Sequence, residues 1–550
     1  MRSATLARDL RKHANGWLLI GLIGAAVILL PLLPILFAVF TPANENWLHI
    51  KEYLLTSYLT QSFWLVLFTS VFTTLMAVPL AWLIAAYEFP LRGFFRWALM
   101  LPLAVPPYIA AYTYSTMFSY TGVVQITLRD TFGIIPNPRF FGIMSMRGAV
   151  FIFTLFLFPY IYIVTKSYLE RQSGSYVESA LLLGRSPLAI FTRIVLPLSR
   201  PAIVGGLTLV IFEVLSDYGV TNYFGVQTIS TAIFRTWFGM YDVDSAIRLA
   251  AWLMVGVIGV FALERFLRGG GRYSASSTRS RPLVPRRLTG MAGIAAFLFC
   301  GFVFAWSFLI PIVQLAVWAT WTYASVFKPA FWQLTGNTLR LALISTSLVM
   351  FLAVVVANVN RTHATPFSQA LSRLVTAGYS IPGAIVAIGV LVVSLWADRR
   401  ADTAFAWAGM GSPPLVISLS LVMLAMAYVV RFTATGYNAV EAGFEKVGTK
   451  YLEASRMLGH GITGTFFKVD LPLIKGSILS GTILTFVEIV KELPLALLLR
   501  PFNFETLATK AYQYASDEMI QETAVPSLFI IGVSMISVIL LNRLGKESHK

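Results

Sequence analysis

Long, unbroken apolar runs recur along the whole sequence. A helix needs about 20 largely apolar residues to cross the hydrocarbon core of a bilayer. Twelve runs approach that length, at approximately 17–41, 62–87, 95–118, 148–168, 200–217, 246–266, 289–320, 336–359, 373–396, 414–432, 474–496 and 524–542. A membrane β-barrel would show alternating segments of about 10 residues, whereas these runs are continuous and rich in Leu, Ala, Ile and Val. The sequence therefore predicts an all-α integral membrane protein with about twelve transmembrane helices.

The charges support a membrane environment and argue against nucleic-acid binding. Only 12% of the residues are charged, and the net charge of +17 comes from basic residues near the ends of the apolar runs, as the positive-inside rule describes. No basic helix outside the membrane suggests a nucleic-acid partner. The first run follows basic residues as a signal peptide does, but it is too long and lacks a cleavage site. We expect it to remain as the first helix, with lipid around the chain.

The densest basic segment predicts a linker near the middle of the chain. The stretch "GGGRYSASSTRSRPLVPRR" is rich in Gly, Ser and Arg, a composition typical of flexible linkers. We predict a cytoplasmic linker over 268–288 between a first repeat, 1–267, and a second repeat, 289–550. An even number of predicted spans on each side then places both termini in the cytoplasm.

The two halves repeat each other at a shift of 275 residues. Between 175–206 and 450–481, ten of 32 positions are identical without a gap. The same shift relates Pro107 to Pro382 and brings two acidic residues of one half onto two of the other, Glu213 onto Glu488 and Asp217 onto Glu492. Six predicted spans in each copy make the repeats parallel, related by an axis along the membrane normal. A substrate route is expected at the interface between them.

A charged, glycine-containing stretch follows the fourth predicted span of each half, at about 175–197 and 450–472. In the first copy a helix is expected to end at Gly184, and Ser186 can cap a second helix that begins at Pro187. Phe191 and Ile194 would form an apolar face on that helix, and the Leu-Pro pair is expected to end it. A loop folded onto the ends of the spans is the alternative. Two copies favour a surface that a partner domain grips.

These stretches resemble the signature of the membrane subunits of binding-protein-dependent ABC importers, which reads E-A-A, three residues, Gly, nine residues, I-x-L-P. It appears here as Glu178-Ser-Ala, Gly184 and Ile194-x-Leu-Pro, and again as Glu453-Ala-Ser, Gly459 and Val469-x-Leu-Pro. The resemblance implies the type I importer permease fold, as two parallel six-helix repeats. It also implies that eight residues couple the permease to its ATPase: Glu178, Gly184, Phe191, Pro197, Glu453, Gly459, Phe466 and Pro472.

The resemblance also implies the partners and the location. Two copies of a cytoplasmic ABC ATPase and a periplasmic binding protein are expected, with the chain in the bacterial inner membrane. The chain itself is not expected to be an enzyme, because its closest string to a P-loop, "GFEKVGTK", has Thr449 where the P-loop lysine belongs. ATP and Mg²⁺ are therefore expected on the separate ATPase, and no cofactor on this chain. Fusion of two permease subunits is similar to the ferric-iron and thiamine branches of the family.

Five ionisable residues lie in the fifth predicted span of each half or at its outer end: Glu213, Asp217, Glu488, Lys491 and Glu492. Such residues are costly in a membrane and are functional candidates. The spacing predicts that each acidic pair stacks on one helix face and that Glu213 and Glu488 face one another across the axis. Alternatively, Lys491 pairs with a neighbouring glutamate and the other acids cap helix ends.

Four carboxylates in symmetric pairs favour a cation as the cargo. Hard metal ions prefer oxygen ligands, so these carboxylates, with the phenolate of Tyr218, are a candidate site for ferric ion. The segment 491–518 also resembles the ferric-iron importer permeases. The predicted function is therefore import of ferric iron by alternating access. The alternatives are a fused ABC permease for thiamine, a polyamine or phosphonate, and an ion-coupled secondary transporter whose buried carboxylates carry protons.

Overall fold

The structure is a computed structural model that describes residues 16–37, 40, 42–135, 137, 141–172, 174–268, 283–362, 365–378, 381–407 and 417–547. Helices dominate these ranges. The first half contains α1 (Gly16–Phe37), α2 (Glu45–Ala86), α3 (Arg92–Ala98), α4 (Pro107–Phe118), α5 (Val123–Phe132), α6 (Met146–Gln172), α7 (Gly174–Leu182), α8 (Pro187–Ser216), α9 (Gly219–Tyr223), α10 (Ile229–Met240) and α11 (Val243–Arg268).

The second half contains α12 (Met291–Val326), α13 (Pro329–Thr362), α14 (Pro366–Ala377), α15 (Gly383–Trp407), α16 (Leu421–Val447), α17 (Lys450–Met457), α18 (Ile462–Val490), α19 (Pro494–Leu499), α20 (Leu507–Ser516) and α21 (Ala524–Glu547). Two helix pairs begin 275 residues apart, α6 with α16 and α8 with α18. The shift found in the sequence is therefore the period of the helices, and the prediction of two all-α repeats is confirmed.

The predicted number of spans differs from what the described helices show. Nine of them are long and apolar enough to cross a membrane: α1, α2, α6, α8, α11, α12, α13, α18 and α21. A tenth consists of two helical segments that meet at 91°, Arg92–Ala104 and Pro107–Phe132. The predicted run 95–118 therefore breaks before Pro107, because the ring of a proline and its missing N–H interrupt a helix. The runs 373–396 and 414–432 overlap α14 to α16, and α15 and α16 carry charged residues such as Asp398 and Arg431.

Each half sends its first helix onto the other half. Helix α1 packs on α13 and α14, where Gly24 lies so close to Leu352 that a β-carbon would overlap it. Helix α12 packs in turn on α3, α4 and α6, and the ring of Phe304 lies 5.4 Å from that of Phe94. The two large apolar cores consequently contain residues from both halves. This exchange joins the repeats into one body.

The far end of the predicted linker is part of this body. Within the predicted 268–288, residues 269–282 lie outside the described residues, and Arg268 is the last residue of α11. Strand β2 (Arg286–Arg287) pairs in parallel with strand β1 (Tyr87–Glu88). The N–H of Leu288 also donates to the Glu88 carbonyl at 2.8 Å. The chain therefore contacts the end of α2 just before it enters the second half.

The Leu-Pro pairs do not end helices, contrary to prediction. Both α8 and α18 continue through Pro197 and Pro472 and run on into the membrane region. A five-residue π turn precedes each proline, over Phe191–Val195 in α8 and Phe466–Asp470 in α18. The wider i→i+5 hydrogen bonding of a π turn explains the continuity, because it brings each proline to the start of a new α-helical segment, where no N–H is needed.

Candidate substrate pathway and coupling surfaces

A small cavity lies between the two halves, at the C-terminal ends of α8 and α18. Its volume is about 80 Å³, enough for a few water molecules. Residues of both halves line it, including the two proline-containing breaks after Val105 and Leu493. All four carboxylates singled out in the sequence reach this cavity: Glu213, Asp217, Glu488 and Glu492. The fold thus brings together at the interface four residues that are up to 279 positions apart in the chain.

The carboxylates of each pair are held in different ways. Glu213 and Glu488 lie in the last turns of α8 and α18, which end at Ser216 and Val490. The second acid of each pair lies beyond the helix, so the predicted stacking of the pairs on one helix face is wrong. Asp217 instead accepts hydrogen bonds from the N–H groups of Val220 and Thr221, at 3.0 Å each, and caps α9.

The same arrangement recurs in the second half. Glu492 accepts a hydrogen bond from the N–H of Leu495 at 3.1 Å, at the first turn of α19. Both short helices therefore begin with an acidic cap, which satisfies N–H groups that would otherwise lack partners. The alternative that some of these acids cap helix ends is correct for Asp217 and Glu492. Capping leaves both side chains on the wall of the cavity.

Two cationic side chains share the cavity with the acids. The Lys491 ammonium lies 2.8 Å from a Glu488 oxygen, and the Arg431 guanidinium lies 3.7 Å from a Glu492 oxygen. The pairing of Lys491 was anticipated from the sequence, whereas Arg431 was missed. Its signal was present, because an arginine inside an apolar run is expensive unless it has a partner. With all six groups ionised the cavity carries four negative and two positive charges.

The two halves contribute unequally to this balance. Arg431, Lys491 and Gly383 correspond, at the shift of 275, to Phe156, Ser216 and Tyr108, and all but Gly383 line the cavity. A β-carbon at Gly383 would overlap the Arg431 guanidinium, so glycine there makes room for the arginine. Within the described ranges Glu213 and Asp217 form no salt bridge. Glu213 accepts a hydrogen bond from the Tyr160 hydroxyl at 3.4 Å.

The predicted metal site is not formed in this structure. Among the described residues no three His, Cys, Asp or Glu side chains are close enough together to hold a metal ion. Lys491 and Arg431 form salt bridges with the two acids of the second half, Glu488 and Glu492. These salt bridges explain why the four carboxylates do not converge on one point. Tyr218, the proposed phenolate ligand, stacks on Phe234 with 3.7 Å between ring centroids and does not line the small cavity.

A much larger basin of about 920 Å³ opens on the side that Tyr218 faces. Residues of both halves line it, among them Trp237, Gln333, Asn337 and Phe502. The start of α13 forms part of its wall, whereas the other end of α13 reaches the charged stretch at 450–472 through Arg361. The basin and the charged stretches therefore lie at opposite ends of the helices, with the carboxylate cavity between them.

Both charged stretches form a helix, a bend and a second helix, as predicted. We call them the first elbow (α7, Gly184 and the start of α8) and the second elbow (α17, Gly459 and the start of α18). The bend glycines have φ of +71° and +84°. In the first elbow the N–H groups of Gly184 and Arg185 donate back to the carbonyls of Leu181 and Ala180, the pattern of a glycine C-cap. Ser186 caps α8, accepting a hydrogen bond from the Ala189 N–H at 3.3 Å.

The exposed apolar face of each elbow is not the predicted one. Phe466 is only 3% exposed and Phe191 is half-buried, so both rings anchor the elbow to the protein. The residues just before each bend glycine project outward instead. Leu182 and Leu183 are 88% and 79% exposed, as are their counterparts Met457 and Leu458. Exposed apolar patches of this kind indicate an interaction site.

The other predicted coupling residues take different positions. Glu453 is exposed, whereas Glu178 is half-buried and lines a cavity of about 230 Å³ with residues 283–286. Pro197 and Pro472 lie on exposed faces just after the π turns. The structure therefore places all eight predicted coupling residues in the two elbows or directly after them.

A buried ion pair fastens the second elbow. The Arg361 guanidinium lies 3.0 Å from Asp470, with 5% and 1% of the two side chains exposed. Arg361 also donates to the carbonyls of Phe444 and Gly448, at 3.2 and 2.9 Å. The equivalent positions of the first half hold Ala86 and Val195, both buried in an apolar cluster. The two elbows are thus held by different chemistry.

Replacing Asp470 with Val tests this ion pair. The change leaves the Arg361 charge buried without its partner, and we expect it to lower the free energy of unfolding by about 3–5 kcal/mol. The double change Arg361→Ala, Asp470→Val copies the first half and should lose distinctly less. Thermal unfolding of the purified protein in detergent measures both. Equal losses in the single and double variants would contradict a role for the pair.

Comparison with known proteins agrees with these features. The family model described as the binding-protein-dependent transport system inner membrane component matches the chain twice, at residues 77–263 and 349–546. A model of a protein of unknown function also matches residues 10–87. The Fe(3+)-transport system permease protein FbpB 2 of Haemophilus influenzae is 23% identical over 468 residues, which cover 84% of this chain and 85% of that protein.

Two further relatives have similar names. The probable ABC transporter permease protein y4fN of Sinorhizobium fredii is 19% identical, over 88% of this chain and 86% of that protein. The putative ferric transport system permease protein FbpB 1 of Haemophilus influenzae is 22% identical, over 71% of this chain and 61% of that protein. With the doubled match, the helical repeats and the two elbows, the chain belongs to the family of binding-protein-dependent transport system inner membrane components and is a multi-pass permease subunit of an ABC importer.

Proposed function

We propose that this permease moves ferric iron from a periplasmic binding protein to the cytoplasm. The observation that carries the proposal is that Glu213, Asp217, Glu488 and Glu492, from both halves, all line one cavity at their interface. The names of two relatives, each a ferric transport permease, support iron as the cargo. Carboxylate oxygens are also the ligands that hard, highly charged cations prefer.

The size and charge of the cavity favour a small cation over the alternatives. A volume of about 80 Å³ suits an ion with a few waters, whereas thiamine or a polyamine would need a wider opening. A phosphonate anion would meet four acidic groups and only two basic ones. A secondary transporter would have no use for two exposed elbows. These features support ferric iron ahead of the other cargoes.

The two cations of the second half act, in this proposal, as resident counter-ions. When no cargo is present, Lys491 and Arg431 partly neutralise the acids, because charges without partners in a low-dielectric site cost several kcal/mol each. A multivalent cation entering the cavity would compete with both side chains for Glu488 and Glu492 while Glu213 and Asp217 of the first half receive it. The salt bridges would re-form after the cargo leaves.

The elbows connect this pathway to ATP. Two elbows imply two copies of the ABC ATPase, which would bind the ATP and Mg²⁺, while this chain binds no cofactor and performs no covalent chemistry. The elbow side is then cytoplasmic, with both termini on it, and the basin side receives the binding protein. Closure of the ATPase pair would draw the elbows together and rock the halves, so that the carboxylate cavity opens to one side at a time.

The exposed leucines of the elbows provide a test of the ATPase contact. Changing Leu183 and Leu458 to Glu places a charge where an apolar contact is proposed, and we expect the ATPase to be lost on co-purification. The fold should survive, because both side chains are 79% exposed. Phe266→Glu is a matched control outside both elbows, since Phe266 lies at the end of α11 and is also 79% exposed. Full ATPase retention by the double variant would contradict the assigned contact face.

Reconstitution tests the cargo. Proteoliposomes containing this chain, its ATPase and its binding protein should accumulate radioactive ferric iron only when ATP is supplied on the elbow side. Excess thiamine, spermidine or phosphonate should not compete. ATP-dependent uptake of one of these compounds, with none of iron, would replace the iron assignment. Uptake that ignores ATP but collapses with an uncoupler would support a secondary transporter.

A further inference from the structure

Two segments that the transport pathway does not use both contact the elbows. One is the start of α1, at Trp17, and the other is the end of the predicted linker, residues 283–288. Each segment leads directly into the first helix of one half, α1 or α12. Each touches the elbow of the other half.

At the second elbow the contact is made by Trp17. Its ring lies 4.8 Å from that of Phe466, the buried anchor of this elbow. Its indole N–H donates to the hydroxyl of Thr463 at 3.1 Å. A tryptophan that combines a ring contact with a directed hydrogen bond is a specific attachment. The rest of α1 then runs along α13 and α14.

At the first elbow the contact is made by residues 283–288. Leu283 packs against an apolar cluster that includes Trp82 of α2, Val177 of α7 and Ile190 of α8. Strand β2 pairs with β1 at the end of α2. Residues 283–286 and the two arms of the elbow line one cavity. The chain that enters α12 is thus attached to the elbow by side chains and to its neighbour α2 by backbone hydrogen bonds.

We infer that these two segments are cross-braces: each fastens an elbow of one half to the first helix of the other half, so that both elbows move as a linked pair. A displacement of the second elbow would be carried by Trp17 into α1 and from there to the first half. A displacement of the first elbow would be carried by residues 283–288 into α12 and from there to the second half. The far end of α1 packs on α11 of the first half, and the far end of α12 packs on α21 of the second half, so each helix carries the displacement from one half to the other.

The inference divides the predicted linker into two functional parts. Residues 269–282 need only connect the halves, so a cut between Ser276 and Ser277 with co-expression of both fragments should preserve most transport. Residues 283–288 are the brace, so replacing them with Gly and Ser should uncouple ATP hydrolysis from transport although the chain stays intact. Equal losses from the cut and from the replacement would overturn the inference, because continuity and not contact would then matter.

The second brace is tested through Trp17. In proteoliposomes with the ATPase and binding protein, Trp17→Ala should lower the iron transported per ATP hydrolysed by about two- to thirtyfold, the range for perturbing a coupling contact. Trp17→Phe keeps a ring against Phe466 and should recover part of the loss. Trp64→Ala, on an exposed face of α2, is the matched control. An unchanged ratio in Trp17→Ala, with the ATPase bound, would overturn the brace.

A disulfide tests the brace at the first elbow without removing any of its contacts to the elbow. Glu88 and Arg287 are exposed partners in the β1–β2 pair, so Glu88→Cys with Arg287→Cys can be oxidised to fix the linker end to α2. If brace and elbow move together, the cross-linked protein should transport at the rate of its reduced form. Loss of transport on oxidation, restored by reductant, would overturn the inference. The wild-type complex, assayed in parallel, separates this outcome from a failure of the iron assignment.

Discussion

Replacing Gly184 and Gly459 together with valine is expected to lower ATP-driven transport by tenfold or more while the protein still inserts and folds. Both bends have positive φ, +71° and +84°, which a β-branched residue adopts only with strain of about 1–3 kcal/mol at each site. No atom lies within 4 Å of a β-carbon at either position, so the effect comes from the backbone alone. The elbows would have to reshape, and the leucines beside them would leave their docking positions.

Two matched variants isolate this cause. Asparagine tolerates positive φ better than other residues with a β-carbon, so the double Asn variant should retain most transport. Gly476→Val adds the same side chain in the body of α18, where nothing lies within 4 Å, and should change little. The measurements are ATPase co-purification and iron uptake in proteoliposomes. A double valine variant with full ATPase binding and full uptake would remove the elbows from the coupling mechanism.

Changing Glu213 and Glu488 together to Gln is expected to reduce iron uptake by more than either change alone. Each carboxylate replaced removes a charge that the cation would meet in the cavity, and contacts to charged groups contribute about 1.5–3 kcal/mol each. A combined loss of that size corresponds to about a hundredfold or more in uptake, since 1.4 kcal/mol is about tenfold. Neither residue touches the elbows, so the ATPase should still bind.

The Glu488 change requires its own control, because it leaves the Lys491 ammonium without its salt-bridge partner 2.8 Å away. The pair Glu488→Gln, Lys491→Met removes both charges and separates a missing cargo ligand from an uncompensated lysine. Glu213→Gln needs no such compensation, since the glutamine oxygen can still accept from Tyr160. Wild-type uptake in Glu213→Gln, Glu488→Gln at normal protein abundance would make both residues structural charges and reopen the choice of cargo.

The elements that the sequence predicted well depend on local patterns. The apolar runs and the glycine bends rely on residues close together in the chain, because helix length, caps and positive φ are local properties, and the 275-residue period is read by comparing two such stretches. The bend at Gly184 and the cap at Ser186 were predictable for this reason. Phe191 was misjudged because its i,i+3 pairing shows only that a face is apolar. Whether that face meets the partner or the protein depends on the neighbouring helices.

The carboxylate cavity shows the limit of the same reasoning. The four acids could be identified from the sequence because they lie in apolar runs at symmetric positions. Their positions relative to one another could not be predicted. Helix α8 stops at Ser216, so Asp217 caps the next helix instead of stacking on Glu213. Arg431 reaches Glu492 from 61 residues away, across the space that Gly383 leaves open. No periodicity relates an arginine in one helix to an acid at the end of another.

By itself the sequence determined the membrane class, the two parallel repeats and the two elbows, because hydrophobic length and glycine bends depend on consecutive residues and the repeat is found by comparing two such stretches. Only the tertiary structure decided which residues meet. It exchanged α1 and α12 between the halves, brought Trp17 onto the second elbow and residues 283–288 onto the first, and placed two cations among four acids. Such contacts join residues tens to hundreds of positions apart. They depend on how whole helices pack together, which no local sequence pattern predicts.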